Sequence, residues 1–549
     1  MKLFSPKSTP PPDAPSLSLP ALSLMNLEPD DSPLPPVAAW ENDLGISEVV
    51  AALTLSRRHR QYIRGVLARL TTDERVIARR QAVLADFIAN PALADGIEAL
   101  LPQLASLDQD SNLLGKRRRS LIMETTDRIS ELEVFINLLA DLYAVLAAAD
   151  LSSDGLVSLR GALATVLETP TYADLKRKLP ALREPLQNIG SINIGINLDY
   201  ELRPTSAVLL SINHRDEGGP RSLLGRLFGD EEDDFNELGG MRPPHRFPRD
   251  KKLRRFHELF QDVNDLMEQT ARPVADALRR YVRTSSQTLL ALEPELAFFV
   301  GAARMIERLQ AQGIDFCQPE PLPMSQRTAH IQGLVNLQLA LAGAQVVPSE
   351  VRFDDEGRIG VLTGPNSGGK TTYLRSVGLA QVVFQAGLFV PAAAARISPV
   401  ASILTHFPRL ETRQQGRLAE EAERLRDIFA QMDDTSLVLL NETFSSTAFG
   451  EALYLAHDML SGLSALGVRA IFATHLVEVV DNFEEIEAAV DAHSRLYSLV
   501  AGIETNADGQ PRPTYRITRR GPLGRSYAQE IARRYGISLQ QILANNQSD

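Results

Sequence analysis

The stretch Gly364-Pro365-Asn366-Ser367-Gly368-Gly369-Lys370-Thr371 has the spacing G-x-x-x-x-G-K-[ST]. Glycines so spaced let backbone N–H groups close around phosphate oxygens, with a helix N-terminus aimed at them. Lys370 would neutralise the outer phosphates of a nucleotide, and Thr371 would put its hydroxyl on Mg²⁺. The expected ligands are ATP and Mg²⁺, with Thr372 in the contacting set. A glycine turn followed by an incidental Lys-Thr is the alternative.

A second candidate lies in 437-LVLLNE-442. Four apolar residues run into Asn441 and Glu442, as in a buried strand that delivers a polar pair to its carboxyl end. Nucleotide hydrolases usually carry Asp-Glu there, and the Asp helps to hold a metal; this chain has an amide. A carboxylate at that point can polarise water for attack on a γ-phosphate, which is the role expected of Glu442. The third candidate is His475 in 473-ATH-475, placed to contact the γ-phosphate or the attacking water. A structural histidine is the alternative.

These residues need a scaffold. IGVLTG at 359–364, SLVLLNE at 436–442 and VRAIFATH at 468–475 read as short buried strands, and a helix is expected from 370. Strands separated by helical segments imply a largely parallel sheet covered on both faces. Upstream, apolar residues recur at helical spacing from about 45 to 190, and the long apolar segment 120–150, which has neither Pro nor Gly, reads as a buried helix or a pair of them. Residues 190–250 begin with β-rich alternation and continue into an acidic, Gly-containing loop; the helical pattern resumes over 251–313.

The expected fold is a C-terminal α/β domain preceded by a mainly helical region with a small β-containing insertion. The expected divisions are a disordered Pro-rich tail (1–42), a helical core (43–189), the β insertion (190–250), returning helices (251–345) and the α/β domain (346–549). Trp40, the only tryptophan, is a candidate anchor for the end of the tail or an ordinary part-buried aromatic.

The 549 residues exceed one ordinary domain, and two to four are expected. A formal net charge of −12 confines any nucleic-acid contact to local basic patches. The single cysteine, Cys317, excludes an intramolecular disulfide and fits a reducing cytosol. No apolar run is long enough to span a membrane and the N-terminus lacks a signal-peptide core, so a cytoplasmic protein is expected.

Together the motifs resemble the MutS family of DNA mismatch-repair ATPases, relatives of the ABC ATPases. TGPNSGGKTTYLRSVGLAQVVFQAGLFVPA is similar to the family's phosphate loop and following helix. LVLLNETFSSTAFGEAL stands where the family has its Asp-Glu strand, FATH carries its switch histidine, and SYAQEIARRYGISLQQIL looks like its closing helices. RRQAVLADFIANPALADGIEALL is similar to the opening of its helical core, and the 190–250 insertion sits where the family places its DNA clamp. The resemblance implies a P-loop ABC-type ATPase domain with C-terminal dimerisation helices. It also implies a homodimer or a related heterodimer with composite ATP sites, and helices coupling ATP state to arms that close on DNA. Val347, in VVPSEVRF, falls where the family packs the adenine, with ordinary core packing as the alternative.

There are departures. The family's mismatch-reading domain is not recognisable ahead of the core. Phe256-His257-Glu258 spells its wedge letters at a core spacing in a helix, and is read as chance. No Smr-type nuclease segment follows the ATPase part, which argues against the branch that carries one. The family's trans-acting serine falls on Gly416 by ungapped counting, with Glu421 at its acidic position. Where the family's Asp supports Mg²⁺, Asn441 keeps an acceptor oxygen but loses a charge, a loss on the order of 1–3 kcal/mol in metal affinity. Thr371, Asn441 and Glu442 form the expected metal set.

Two functions stay open. One is an ATP-dependent DNA-binding protein that recognises structured or branched DNA and hydrolyses ATP slowly. The other is an ATP-gated switch that grips a protein or ribonucleoprotein with little hydrolysis. The basic runs 116–119 and 249–255 read either as phosphate contacts or as a solvated helix face or loop, whereas Glu231-Glu232-Asp233-Asp234 in the insertion would repel a duplex.

Overall fold

The computed structural model describes residues 17–28, 33–113, 121–177, 189–214, 287–408, 417–505 and 511–521, apart from positions 18, 34, 199, 201–203, 366, 445 and 446. Both basic runs, the acidic run, residues 256–258, Gly416 and the segment 526–543 lie outside the described residues, as does Asn366. The chain divides into two compact units. The first comprises residues 1–21, 100–147 and 160–291. The helix Leu121–Ala148 occupies the long apolar segment, and its Phe135, Leu139, Leu142 and Leu146 are fully buried. Strands β1 (Ile189–Leu198) and β2 (Pro204–His214) pair antiparallel, with Ile192 opposite Ile212, at the start of the expected insertion.

The second unit comprises residues 22–99, 148–159 and 292–549. Its helical part includes Ile46–Leu53, Arg57–Ala68 and Glu74–Ala89, with residues 292–310 also helical. Asp73 caps Glu74–Ala89 by accepting the Arg75 N–H at 2.9 Å. Phe87 stacks on Phe299 at 6.1 Å between centroids, and Phe298 meets Phe299 edge-on at 5.4 Å.

The second half of the expected tail is built into this unit, and that expectation is corrected. Leu24, Met25, Trp40 and Leu44 are buried. The buried Glu295 carboxylate accepts from Ser23 Oγ at 2.8 Å and from Leu24 N at 2.6 Å. Arg79 donates to Ser23 O and Arg80 to Met25 O, both at 2.7 Å. Further on, Arg64 pairs with Glu41 at 2.8 Å, and Trp40 lies in the short helix Ala39–Asp43. Proline prevents regular structure here, but it does not prevent an irregular strand from packing when side chains satisfy its polar groups.

Two sheets follow. The smaller contains β3 (Glu320–Pro321), β4 (Ala329–Leu334), β5 (Ser349–Phe353) and β7 (Ala394–Ile397), in the order β3-β7-β4-β5. Residues 320–334 therefore belong with the α/β part, upstream of the expected boundary at 346. Such short strands carry little periodic signal.

The larger sheet has six strands in the order β12-β11-β6-β10-β9-β8. They are β6 (Ile359–Thr363), β8 (Ser402–His406), β9 (Ser436–Asn441), β10 (Arg469–Ala473), β11 (Leu496–Thr505) and β12 (Pro511–Arg519). All pairings are parallel except β11 with β12. Val438 and Leu440 face a core shared with Ala456, Leu460 and Leu463 of the helix Phe449–Leu466. Leu439 faces the other side, where Gly378 of the helix Lys370–Gln385 sits so close that a Cβ would lie 3.0 Å from it. Helices on both faces explain why β6, β9 and β10 read as unbroken apolar runs.

Candidate functional site

The site lies at the carboxyl ends of three adjacent parallel strands. Ala473 is in register with Asn441 on one side and Leu362 on the other, so β9, β10 and β6 end together. Open parallel sheets bind ligands at such an edge, because loops leave it and helix N-termini point towards it.

Two backbone features shape the loop after β6. Gly364 has φ +134°, and a Cβ there would lie 2.8 Å from the Ala501 Cβ; one on Gly368 would lie 2.9 Å from the same atom. A side chain at either position would push the loop away from β11. Gly369, at φ +88°, caps the helix that starts at Lys370. The Pro365 carbonyl accepts the Gly368 N–H at 3.0 Å and closes the turn.

Lys370 is 2 % exposed. Its Nζ donates to Gly364 O at 2.8 Å, lies 3.4 Å from His475 Nδ1 and is 4.0 Å from Glu442 Oε1. Burial pushes the amine down to about 8, and the Glu442 carboxylate opposes that shift. Thr371 Oγ1 donates to Asn441 Oδ1 at 3.2 Å, joining the helix start to the end of β9. Glu442 has φ +53°; its N–H donates to Ala473 O at 2.8 Å, and its Oε1 lies 3.1 Å from His475 Nε2. The structure thus brings Lys370, Thr371, Asn441, Glu442 and His475 together.

Beside them opens a cleft of about 620 Å³. Ser367, Gly369, Lys370, Thr371 and Thr372 line one part and Val347 another. Asn336 and Tyr515 also line it, and neither stands out in the sequence. Asn336 is 6 % exposed; it caps the helix Leu337–Leu341 and donates to Thr372 O at 3.1 Å. The Asn before an apolar run is a recognisable cap signal, but nothing in it points to the cleft. Tyr515 takes φ +58° on β12, and its ring edge would be 3.4 Å from a Cβ on Gly369. No motif marks it. Among the described residues, no group of three His, Cys, Asp or Glu could by itself hold a metal.

Comparison with known proteins gives two family matches. Residues 72–312 match the MutS2 N-terminal domain, and residues 360–547 match MutS domain V. "DNA mismatch repair protein MutS 2" of Halobacterium salinarum is 28% identical over 54% of this chain and 32% of its own length. "Endonuclease MutS2" of Thermomicrobium roseum is 31% identical over 51% of this chain and 36% of its own length. "DNA mismatch repair protein MutS" of Myxococcus xanthus is 37% identical over 26% of this chain and 16% of its own length. The chain thus spans about a third or less of these relatives. The sequence reading set it apart from nuclease-bearing relatives, yet the helical part matches a MutS2 model, a name that one of these relatives carries with the word endonuclease. With a MutS2 N-terminal domain followed by a MutS domain V, the chain belongs to the MutS family.

Proposed function

We propose that this protein binds ATP with Mg²⁺ in the cleft, hydrolyses it slowly, and uses the nucleotide state to control a grip on structured or branched DNA. The observation that carries the reading is the convergence of Lys370, Glu442 and His475 within 4.0 Å beside the Thr371–Asn441 pair. The glycine cradle fits phosphate oxygens, because its loop holds a close course along Ala501 that a Cβ on Gly364 or Gly368 would displace. Lys370 would meet the outer phosphates, and Ser367 and Thr372 flank it. Val347 and Tyr515, which line the rest of the cleft, would take the base.

Thr371 and Asn441 would hold Mg²⁺, with Glu442 as the carboxylate of the set. When bound, Mg²⁺ supplies charge neutralisation at the phosphate oxygens. So few protein oxygens suit Mg²⁺, which keeps waters and phosphate oxygens as ligands. Glu442 would accept the proton of the attacking water, and His475 would orient its carboxylate. An ABC-type arrangement, with two copies sharing composite ATP sites, extends the reading. Its support is domain V and the relatives named as mismatch-repair proteins.

Asn441 favours a second reading, an ATP-binding switch that scarcely turns over and grips a protein or ribonucleoprotein. Steady-state ATP hydrolysis under Mg²⁺ titration separates the two. The natural protein is compared with Glu442→Ala and Asn441→Asp, with and without branched DNA. The ATPase reading expects Glu442→Ala to abolish turnover and Asn441→Asp to lower the Mg²⁺ requirement about tenfold or more. No turnover above the Glu442→Ala background at any Mg²⁺ concentration would leave the switch. DNA stimulation would support the DNA reading, and no DNA binding even at low salt would count against it.

A further inference from the structure

The four residues that end β9 and leave the sheet have an unusual backbone. Glu442 takes φ +53° and Phe444 takes φ +67°. A left-handed conformation is disfavoured for any residue with a Cβ and is an outlier for one as bulky as Phe. The penalty for one residue corresponds to roughly a tenfold shift in population, so surrounding groups must hold the turn.

Each residue has an identifiable hold. Asn441 accepts from Thr371 Oγ1 at 3.2 Å. The Glu442 N–H donates to Ala473 O at 2.8 Å. Thr443, 2 % exposed, has its Oγ1 3.1 Å from Nδ1 of His406, the last residue of β8. The Phe444 N–H donates to Glu421 Oε1 at 2.9 Å. The first three partners stand on sheet strands or on the first turn after the glycine loop. Glu421 stands on the helix Arg417–Phe429, outside the sheet.

Phe444 has little freedom except in its backbone. Its ring is 6 % exposed and lies in the same core as Leu425 of that helix. With the ring fixed, release of the N–H would let the peptide relax towards the right-handed region. That rotation would move the preceding residues, and with them the Glu442 carboxylate.

We infer that Glu421 is a positioning residue: by accepting the Phe444 N–H, it keeps Phe444 left-handed and the Glu442 carboxylate beside Lys370 and His475. The inference rests on the reading of this site as an ATPase and adds a lever to it. A shift of the helix Arg417–Phe429 along its axis acts on the base through one hydrogen bond, without touching the glycine loop.

The test compares Glu421→Ala and Glu421→Gln in the full chain, by steady-state ATP hydrolysis, equilibrium nucleotide binding and amide hydrogen exchange at Phe444. The glutamine carbonyl can accept the same N–H; alanine cannot. Glu421→Ala is expected to lower kcat about tenfold, leave nucleotide binding within about twofold, and unprotect the Phe444 amide. Glu421→Gln is expected to restore most of the turnover and the protection. A loss of stability alone would lower binding and turnover together. Turnover of Glu421→Ala equal to that of the natural protein, or Glu421→Gln as slow as Glu421→Ala, would overturn the inference. If the natural protein hydrolyses nothing, the ATPase reading fails by itself. The exchange measurement then decides whether Glu421 holds the turn: protection unchanged in Glu421→Ala rejects it, and protection lost in alanine but kept in glutamine upholds it.

Discussion

At the scale of residues, Lys370 carries a testable electrostatic consequence. Its ordinary amine value is 10.5, and burial brings it down to about 8. Between these two values the unfolded chain holds the proton and the folded chain does not. This group's contribution to stability therefore rises with pH across that window. Phosphate recognition runs the opposite way, because only the charged amine attracts the phosphates. Nucleotide affinity is expected to be level below about pH 7 and to fall above about 8, by at most about tenfold per unit. Equilibrium titration with a fluorescent nucleotide analogue across that range would check it. Affinity that stays level through the alkaline range would mean that Lys370 keeps its proton or does not meet the phosphates. The residues around Lys370 were legible from spacing, since G-x-x-x-x-G-K-[ST] specifies both the turn and the cation. The depressed amine was not, because burial depends on what packs over it.

At the scale of elements, the segment 22–45 changes the picture of the N-terminal region. Asp43 O accepts from Arg375 Nε at 2.9 Å, one turn beyond the start of the glycine-loop helix. Asp43 Oδ2 accepts from Thr405 Oγ1 at 2.6 Å on β8. Leu44 is fully buried against Gly378, where a Cβ would come within 2.7 Å of its methyl groups. The segment is thus a packed strap across the helix that carries Lys370. Leu44→Ala should cost about 2–5 kcal/mol, through lost transfer energy and the cavity left behind. Leu55, 90% exposed, provides the control, and Leu55→Ala should stay within about 0.5 kcal/mol. Chemical denaturation of both variants would decide. Similar midpoints for the two would show that the strap is not part of the cooperative fold. The sequence hid this element because its prolines report local conformation, whereas its anchors are side chains far away in the chain. Trp40 was the visible trace.

At the scale of the whole molecule, composition and family set the expectations. A net charge of −12 opposes nonspecific attraction to nucleic acid, so DNA binding would rest on local basic groups. Affinity for branched DNA should then fall with added salt, with a slope that counts only the few phosphates contacted. Composite ATP sites carry a separate requirement: two copies must meet when nucleotide is bound. Sedimentation in ATP with Mg²⁺, using Glu442→Ala to slow turnover, should show a dimer. A monomer at every concentration tested would reject shared sites while leaving nucleotide binding intact.

The amino-acid sequence by itself determined the glycine loop, the three strand ends and the helical character of the long apolar segment. Each is written in neighbouring residues, where backbone hydrogen bonding and side-chain periodicity act locally. It also placed Asn441 where an acid was expected, and the structure sets that amide against Thr371. Only the tertiary structure decided the rest. Tyr515 on β12 and Asn336 just after β4 line one cleft although β12 and β4 belong to different sheets. Glu295 meets Leu24 across 271 positions, and Glu421 meets Phe444 from a helix outside the sheet. Such contacts depend on which strands pair and which helices cover them. That choice is made by burial of the whole apolar surface, and no short stretch of residues encodes it.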